Sequence, residues 1–432
     1  MNAAAPFGLK LYRAASRASE PVARLLLKRR LELGKEDADR IGERAGEPGR
    51  ERPDGALTWI HGASVGESLS VLPLVDQLKK DDPALNVLVT TGTVTSAKLM
   101  AERLPAGAFH QFIPIDHPHF VTRFLDHWRP DAALFVESEF WPNLLIETRK
   151  RAAFMALVNG RVSPKSFEEW RSKPQTIRYL LSAFDAMAAQ DHQNAERLSL
   201  LSGGDVQSFG NLKNAAPPLP ADPAALAALK DQLGDRPVWL AASTHPSEDQ
   251  PIFDAHRMLA AENKALLTIV APRHPERGAE VAELACEEGL AVARRSKGED
   301  VTDATDIYIA DTLGELGLFY RVSDIAFVGG SITEKGGHNP LEPARLSAAI
   351  LHGPHVFNFS ETYADMRTRL GAALVRNERD LAAAVNRLLA DATTRMAMAN
   401  AARLAAEASG EQALSSVVSA ISEARARKNS AA

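Results

Sequence analysis

The sequence predicts an α/β fold built from two doubly wound domains, and three observations lead to this prediction. Short apolar runs alternate with segments of helical periodicity, the runs are bounded by Gly, Pro, Asp or Asn, and the pattern restarts after a proline-rich break. Such runs are too short for helices and are typical of strands buried in a parallel sheet. A chain of 432 residues, 45% of them apolar and 24% charged, can form two domains of this kind.

Each half of the chain carries its own series of strands. In the first half the predicted strands are 56–61, 86–91, 132–136, 153–158 and 184–190. The intervening segments with helical spacing are 68–80, 95–103 and 118–127. In the second half the predicted strands are 238–242, 265–271, 290–293, 307–310, 325–328, 348–351 and 372–375. The alanine-rich tail from 380 to 427 predicts two or three helices.

Composition indicates where the domains begin and end. Four prolines and no apolar periodicity mark 215–223 as a linker. The expected organisation is an N-terminal helix with its linker (1–50), a first domain (51–214), the linker (215–223), a second domain (224–390) and C-terminal helices (391–432).

The N-terminal segment 6–35 predicts one basic amphipathic helix, in which only Glu20 and Glu32 oppose a larger number of Lys and Arg residues. Such a helix can lie in the headgroup layer of an anionic membrane, where each basic residue contributes about 1 kcal/mol. It can equally be a solvated helix packed on its own domain, and both interpretations stay open. Basic residues interrupt the segment before it reaches the roughly 18 apolar residues that a membrane span needs.

Charge and cysteine content exclude several classes of protein. Fifty Lys and Arg stand against 55 Asp and Glu, and the net charge of −5 argues against a globally basic nucleic-acid binder. The single cysteine, Cys286, excludes a disulfide framework and a cysteine-based zinc site. Asp37 and Asp39 lie in a charged helical region before the first domain, so no metal site is expected there.

Doubly wound sheets bind ligands at the carboxyl ends of their strands, so chemistry is expected in the strand-to-helix turns. The first such turn is HGASVGE, in which Ser64 and Glu67 fit a capping box that satisfies the amides of a helix start. A carboxylate in the first helical turn also stays ionised and can act as general base toward a sugar hydroxyl. Both interpretations of Glu67 stay open.

Two further turns of the first half carry charged residues. Glu137 and Glu139 follow a predicted strand directly, and the turn should part them so that at most one faces a ligand; both would also suit the first turn of a helix. Lys213, just before the linker, is a candidate anchor for a carboxylate or phosphate, although such a lysine is often only solvated.

The second half offers an anion site. Arg273 follows a strand and could bind phosphate with its planar guanidinium, whereas His245 and His274 have no convincing metal constellation. Behind two glycines, Asn339 as N-cap, Pro340 at the first helical position and Glu342 predict a helix start whose free amides could bind a nucleotide phosphate. Glu342 could then bind ribose hydroxyls.

These motifs resemble those of the Kdo transferases, which attach 3-deoxy-D-manno-octulosonic acid (Kdo) to the lipid A precursor. The resemblance extends in order from about residue 39 onward. It is carried by HGASVGE (61–67), ESEFWPN (137–143), NGR (159–161), GNLK (210–213), STH (243–245), PRHPER (272–277), GELGLFY (314–320), FVGGS (327–331) and GGHNPLEPA (336–344). The chain departs from the family after GNLK, where Asn214 and Ala215 replace the usual Phe-Asp, and its N-terminal segment is shorter and more basic than the usual apolar anchor.

The resemblance implies a GT-B fold, with two Rossmann-like domains facing each other across a cleft, and inverting transfer of Kdo from CMP-Kdo to the lipid A precursor (lipid IVA). It implies that Glu67 is the catalytic base and that Glu137 and Lys213 support the transition state. The CMP contacts that it implies are Pro272, Arg273, Leu313, Gly314, Glu315, Asn339, Pro340, Leu341 and Glu342. No metal and no cofactor besides the donor are expected, and the expected location is the cytoplasmic face of the bacterial inner membrane, attached to its anionic surface.

Two other interpretations remain. A UDP-sugar transferase or epimerase of the same fold would share the phosphate turn without requiring a base at Glu67. A scaffold at the membrane surface that retains a nucleotide fold would bind CMP without turnover.

Overall fold

The structure is a computed structural model that describes residues 4–430, apart from the side chains of Val65 and Asn429. The chain forms two units. The first comprises the chain up to Ala216 together with the segment from Ser409, and the second runs from Pro217 to Ala408. The division falls within the proline-rich segment 215–223.

The first unit contains a seven-stranded parallel sheet. Its strands are β1 (Leu57–His61), β2 (Asn86–Thr91), β3 (Ala108–Phe112), β4 (Ala132–Val136), β5 (Phe154–Gly160), β6 (Ala186–Ala189) and β7 (Gln207–Ser208). Their order in the sheet is β3-β2-β1-β4-β5-β6-β7. The helices are α1 (Phe7–Ala18), α2 (Glu20–Glu32), α3 (Val65–Asp81), α4 (Val94–Arg103), α5 (Pro118–Trp128), α6 (Pro142–Arg149), α7 (Pro164–Arg171), α8 (Pro174–Leu181) and α9 (His192–Ser202).

The central strands of this sheet are apolar on both faces because helices cover both faces. Trp59 and Phe135 belong to the core on one face, and Ile60 and Leu134 to the core on the other. Successive side chains of a strand point to opposite faces, so a strand buried on both sides becomes a continuous apolar run. This is why the sequence predicted β1, β2, β4, β5 and β6.

The second unit contains another seven-stranded parallel sheet. Its strands are β8 (Val238–Thr244), β9 (Leu267–Pro272), β10 (Val292–Arg294), β11 (Ile307–Ile309), β12 (Ile325–Val328), β13 (Ala349–His352) and β14 (Ala372–Leu374). Their order is β10-β11-β9-β8-β12-β13-β14. The helices are α10 (Pro223–Leu233), α11 (Pro246–Ala260), α12 (Gly278–Glu287), α13 (Leu316–Arg321), α14 (Leu341–Arg345), α15 (Ser360–Thr368), α16 (Glu378–Ala390) and α17 (Ala392–Ser430), of which α17 belongs to the first unit from Ser409 onward.

The order of the strands indicates where each sheet is expected to bind a ligand. In the first sheet the connections reverse direction between β1 and β4, and in the second between β8 and β12. Open α/β sheets bind ligands at the carboxyl ends of the strands beside such a reversal. The turns that follow β1, β4, β8 and β12 are therefore where functional side chains are expected.

The N-terminal segment differs from the prediction, because two helices replace the single helix predicted over 6–35. Helix α1 ends at Ala18, Ser19 lies between the helices, and α2 has Pro21 in its first turn. Proline lacks an N–H group and suits only the first turn of a helix, so a new helix starts there. Leu9 of α1 and Leu27 of α2 are buried, whereas Phe7, Leu11, Leu25 and Leu26 are more than half exposed.

Candidate active site

Three elements of the first unit bring the predicted catalytic residues together. Glu67 lies in the first turn of α3, which follows β1, and Glu137 follows β4. Lys213 lies in a short 3-10 helix, Leu212–Ala215, that the amide of Leu212 attaches to Asn159 at the end of β5. A Cβ added to Gly66 would lie 3.9 Å from Cε of Lys213, so the lysine stem passes beside the start of α3.

The Glu67 carboxylate is held by its own turn and is 9% exposed. Oε2 accepts the N–H of Ala63 and Oε1 accepts the hydroxyl of Ser64, both at 2.8 Å. The Ser64 hydroxyl in turn accepts the N–H of Glu67 at 3.3 Å, as the predicted cap requires, but the carboxylate reaches the amide of Ala63 and not that of Ser64. Glu67 therefore shapes the turn, and this geometry is compatible with both interpretations of the residue.

The ionisation of Glu67 differs from the sequence-based argument. The helix start was expected to favour the carboxylate form, yet burial raises the pKa of Glu67, and the negative charges of Glu137 and Glu139 add to the rise. The hydrogen bonds from Ser64 and Ala63 act in the opposite direction. A raised pKa brings a carboxylate closer to the value that suits a general base at neutral pH.

Glu137 forms the ion pair of the site. Its Oε1 lies 2.6 Å from Nζ of Lys213, and Arg161 Nη1 lies 3.8 Å from its Oε2. The backbone of Glu137 has φ of +59°, and Asn159 at the end of β5 has φ of +53°. Residues other than glycine rarely adopt this conformation, and strained backbone of this kind concentrates at functional sites.

Glu139 is directed elsewhere, as the predicted parting of the two carboxylates requires. Its Oε2 accepts the indole N–H of Trp141 at 2.5 Å and lies 3.6 Å from Nε2 of His61. Burial by itself would raise the pKa of Glu139, but the hydrogen bond and charge of His61, together with the bond from Trp141, lower it. His61 is fixed in turn, because its Nδ1 lies 3.0 Å from the hydroxyl of Thr90. No role was predicted for His61 or Trp141 from the sequence.

In the second unit, one fully buried carboxylate organises the loop after β12. Glu248 of α11 accepts the N–H groups of Gly330 at 2.7 Å and of Ser331 and Ile332 at 3.0 Å, and also that of His245 at 3.1 Å. Four donors compensate the burial of the charge. The sequence analysis missed Glu248, although a glutamate three residues after a turn residue is the signal of a helix cap.

Two histidines meet over this loop. Nε2 of His245 and Nε2 of His338 lie 2.9 Å apart, and their rings are stacked within 7° of parallel. A hydrogen bond between two imidazoles needs one donor and one acceptor, so at least one ring is neutral. Burial, aided by the charge of Arg273, lowers the pKa of His338 to about 4. Gly330 has φ of +66°, and a Cβ there would lie 3.0 Å from the His338 ring, so any other residue would be strained and would displace the ring.

The turn before α14 differs in part from the prediction. Free amides were expected at this helix start, but the amides of Gly337 and His338 just before it donate to the carbonyl groups of Gly330 and Gly329. Asn339 Oδ1 accepts the N–H of Leu341 at 3.0 Å, as a cap does, but α14 begins at Leu341, one residue later than predicted, and has five residues. The two glycine loops therefore pair with each other through these amides, and the exposed side chains of Arg273 and Lys335 are the cations beside them.

The other predicted CMP contacts lie on separate loops of this unit. Pro272 ends β9, and Arg273 is exposed, with its backbone N–H bound to the carbonyl of Thr244. Leu313 is 90% exposed and Gly314 has φ of +86°. Glu315 pairs with Arg295 at 2.6 Å, and this bond lowers the pKa of its carboxyl. Burial raises the pKa of Glu342, and Pro340 and Leu341 are buried.

Residues 4–430 contain neither a cluster of metal-ligating side chains nor a membrane-spanning helix. Within that range no group of three or more His, Cys, Asp or Glu side chains is placed to hold a metal ion. None of the helices in that range combines the length and the apolar character of a transmembrane segment.

Comparisons with known proteins identify the family. Residues 39–216 match the family of 3-deoxy-D-manno-octulosonic-acid transferases (kdotransferases). The 3-deoxy-D-manno-octulosonic acid transferase of Rickettsia bellii (strain RML369-C) is 37% identical over 335 residues, 77% of this chain and 79% of that protein. The enzyme of the same name from Haemophilus influenzae (strain ATCC 51907 / DSM 11121 / KW20 / Rd) is 36% identical over 369 residues, 84% of this chain and 86% of that protein.

A solved structure agrees at the level of the fold. A glycosyltransferase from Rickettsia africae ESF-5 aligns with 86% of this chain and 99% of its own, with a TM-score of 0.59 and 12% identity. Identity this low bears on the fold alone, whereas the two sequence relatives bear on the family. This chain therefore belongs to the family of 3-deoxy-D-manno-octulosonic acid transferases.

Proposed function

We propose that this chain is an inverting glycosyltransferase that moves Kdo from CMP-Kdo to the lipid A precursor (lipid IVA) during lipopolysaccharide biosynthesis. The observation that carries the proposal is the buried carboxylate of Glu67, held at the carboxyl edge of the first sheet beside the ion pair of Glu137 and Lys213. Family membership supports Kdo as the transferred sugar.

Glu67 is the general base of the proposed reaction. The acceptor hydroxyl is neutral and a poor nucleophile, so a carboxylate that takes its proton in the transition state contributes about 10²- to 10⁴-fold. The proton moves from the hydroxyl to a carboxylate oxygen as the new bond to the anomeric carbon forms and the bond to the cytidylate phosphate breaks. One displacement inverts the anomeric centre. Glu137 and Lys213 support the transition state, and the short distance between their charged groups holds the lysine in place.

The second unit binds the CMP part of the donor in this proposal. Arg273 receives the charge that develops on the leaving phosphate, because the amides of Gly337 and His338 are already bound to carbonyl groups. The exposed guanidinium supports this role. Glu342 binds ribose hydroxyls. The remaining proposed contacts are Pro272, Leu313, Gly314, Glu315, Pro340 and Leu341. No step is assigned to a metal ion or to a cofactor other than the donor.

We further propose peripheral attachment to the anionic surface of the inner membrane, on its cytoplasmic face, where the lipid acceptor would be met. Exposed apolar side chains on α1 and α2 support this, because Phe7 is 80% and Leu25 66% exposed. Exposed Lys10, Arg17 and Lys28 lie on the same two helices. Apolar residues combined with basic ones are suited to a headgroup layer of anionic lipids.

The decisive experiment is mass spectrometry of the lipid product after incubation with CMP-Kdo and lipid IVA. A product heavier than the acceptor by one or more Kdo units is expected. Turnover of UDP-sugars without turnover of CMP-Kdo would identify a UDP-sugar enzyme instead. Binding of CMP without any product would favour a scaffold.

A further inference from the structure

The first unit contains a cavity of about 210 Å³ beside Glu67. Ala63 lines it, and the N–H of Ala63 is the group that binds Oε2 of Glu67, so the cavity and the base share one turn of the chain. The cavity is also lined by His61, Asp116, Glu139, Trp141 and Leu144. Sites for small molecules are usually apolar concavities with a few placed polar groups, and this cavity has that character.

Trp141 forms a rigid aromatic wall of this cavity. Its side chain is 50% exposed, in contrast to Trp59 and Trp128, which are fully buried. The indole N–H is bound to Glu139, which orients the ring, and the residue lies directly before Pro142 at the start of α6. Exposing a large aromatic ring costs solvation free energy unless a partner covers it, and a fixed ring loses little entropy on binding.

The polar groups of the cavity are suited to hydroxyl groups. Glu139 provides a carboxylate acceptor, whereas Asp116 adds negative charge but its oxygens already accept hydrogen bonds from the protein. The guanidinium of Arg44, which also lines the cavity, is already bound to the carbonyl of Ile113 at 2.8 Å and paired with Glu36. The acidic groups argue against an anionic ligand. An aromatic face with carboxylates at its edge matches a pyranose ring, whose C–H face is apolar and whose hydroxyls are donors.

The wall of the cavity is also tied to the N-terminal helix. The hydroxyl of Tyr12 on α1 donates to Oδ2 of Asp116 at 2.9 Å, and Asp116 accepts the amides of Asn143 and Leu144 on α6. Phe7 and Leu11, exposed apolar residues of α1, therefore belong to the helix that borders this cavity. A lipid with a sugar headgroup matches both features, because its acyl chains suit the exposed apolar residues of α1 and its sugar suits the polar groups of the cavity.

We propose that this cavity is the subsite for one pyranose ring of the lipid acceptor, with Trp141 as its stacking platform and as a determinant of acceptor affinity. The inference rests on the proposed function, since it takes a glycolipid as the acceptor. It assigns to Trp141 a contact with the substrate and to Glu139 the positioning of the indole.

Steady-state kinetics of Trp141→Ala and Trp141→Phe test this role. For Trp141→Ala we expect the KM for lipid IVA to rise about tenfold, which corresponds to about 1.4 kcal/mol, while the KM for CMP-Kdo is unchanged. Trp141→Phe keeps an aromatic face and should retain most of the affinity. Leu200→Ala, at a 70% exposed apolar residue on α9, is the matched control. An unchanged KM for lipid IVA in Trp141→Ala, or an equal rise for both substrates, would overturn the proposal.

A binding measurement without donor separates this proposal from the proposed function. Deacylated lipid IVA should protect the wild-type protein from acrylamide quenching of tryptophan fluorescence, and Trp141→Phe should lose this protection. If the wild type shows this protection but transfers no Kdo, the proposed function fails and the sugar subsite stands. If the wild type transfers Kdo and no protection of Trp141 is seen, the subsite is wrong and the proposed function stands.

Discussion

The carboxylates of Glu67, which is buried, and Glu139, which is partly buried, both follow strand ends of one sheet, yet their pKa values shift in opposite directions. Burial and neighbouring negative charges raise the pKa of Glu67, whereas contacts with His61 and Trp141 lower the pKa of Glu139 despite its burial. Environment thus separates two chemically identical groups, one suited to accept a proton and one suited to stay charged.

Replacing Glu67 by glutamine tests the base at the scale of one residue. Glu67→Gln is nearly isosteric and leaves a group that can bind Ala63 or Ser64, so the helix start should persist. We expect kcat for Kdo transfer to fall by about 10²- to 10⁴-fold, because the proton acceptor is lost. Isothermal titration should show unchanged CMP affinity. Glu102→Gln, on the exposed side of α4, is the control. Full activity in Glu67→Gln would reduce Glu67 to a structural cap.

Glu139→Gln should move the pH profile. Removing a negative charge near Glu67 makes its ionised form less unfavourable, so the pKa of Glu67 falls. The acid limb of kcat/KM, which follows ionisation of the base in the free enzyme, should therefore shift to lower pH. A profile measured in parallel for Glu102→Gln should not move. A shift to higher pH in Glu139→Gln would contradict this electrostatic account.

At the scale of secondary-structure elements, the N-terminal helices show that a proline and the burial of apolar residues can outweigh the charge pattern of the sequence. The charge pattern over 6–35 favours one long helix, but Pro21 and the burial of Leu9 and Leu27 favour two shorter helices that each pack on the unit. Deleting residues 1–35 would therefore remove packing as well as any membrane contact. Point changes at exposed positions are a cleaner test of the membrane proposal.

Phe7→Asp combined with Leu11→Asp should weaken binding to vesicles of anionic phospholipid. Both side chains are more than 60% exposed, so the fold should tolerate the change. Each loses apolar transfer free energy of up to about 2 kcal/mol and adds a repelled charge, so co-sedimentation should fall at least about tenfold. Added salt should weaken the wild-type binding. Leu200→Asp is the control. Vesicle binding that is unchanged both by the double substitution and by added salt would contradict the proposal.

Strands β3 and β7 were missed by the sequence analysis, and both fall outside the buried centre of their sheet. Strand β3 (AFHQF) lies at one edge and is partly exposed, so its polar residues interrupt the apolar run. Strand β7 has two residues at the other edge. The central strands were predictable because a strand that is buried on both faces is a continuous run of apolar residues.

At the scale of the whole molecule, acid should destabilise the fold through histidines that are wholly or partly buried. His110 accepts a hydrogen bond on Nδ1 from Arg40, a group that can only donate, so the folded protein holds this ring neutral. Burial and the charge of Arg40 lower the pKa of His110 to about 3. Burial likewise lowers the pKa values of His338 and His352 to about 4.

The sign of the pH effect follows from these depressed values. Below about pH 6.5 the unfolded chain binds protons that the native histidines do not, so stability falls as pH drops from 6.5 toward 4. Near pH 5 the loss is on the order of 1–2 kcal/mol for each histidine. Calorimetry of His110→Gln between pH 7 and 5 should show a smaller decrease in Tm than the wild type. His192→Gln, at an exposed position, serves as the control, and equal slopes would contradict the argument.

The sequence by itself determined the α/β class, the central strands of both sheets and the turns where Glu67, Glu137 and Arg273 lie. These features depend on periodicity and on short motifs, which are local properties of a chain. The resemblance to the Kdo transferases is likewise carried by short ordered motifs.

Only the tertiary structure determines which distant residues these side chains contact. Lys213 is 76 positions from Glu137, and Glu248 is 82 positions from Gly330, yet each pair is in hydrogen-bond contact. Strand order brings such distant turns to one edge of a sheet, and neither residue's neighbours in the chain encode that order. Two features therefore depend on the folded structure. One is the carboxylate of Glu248, which binds the amides of the glycine loop, and the other is the side chain of Trp141, which lines the cavity beside Glu67.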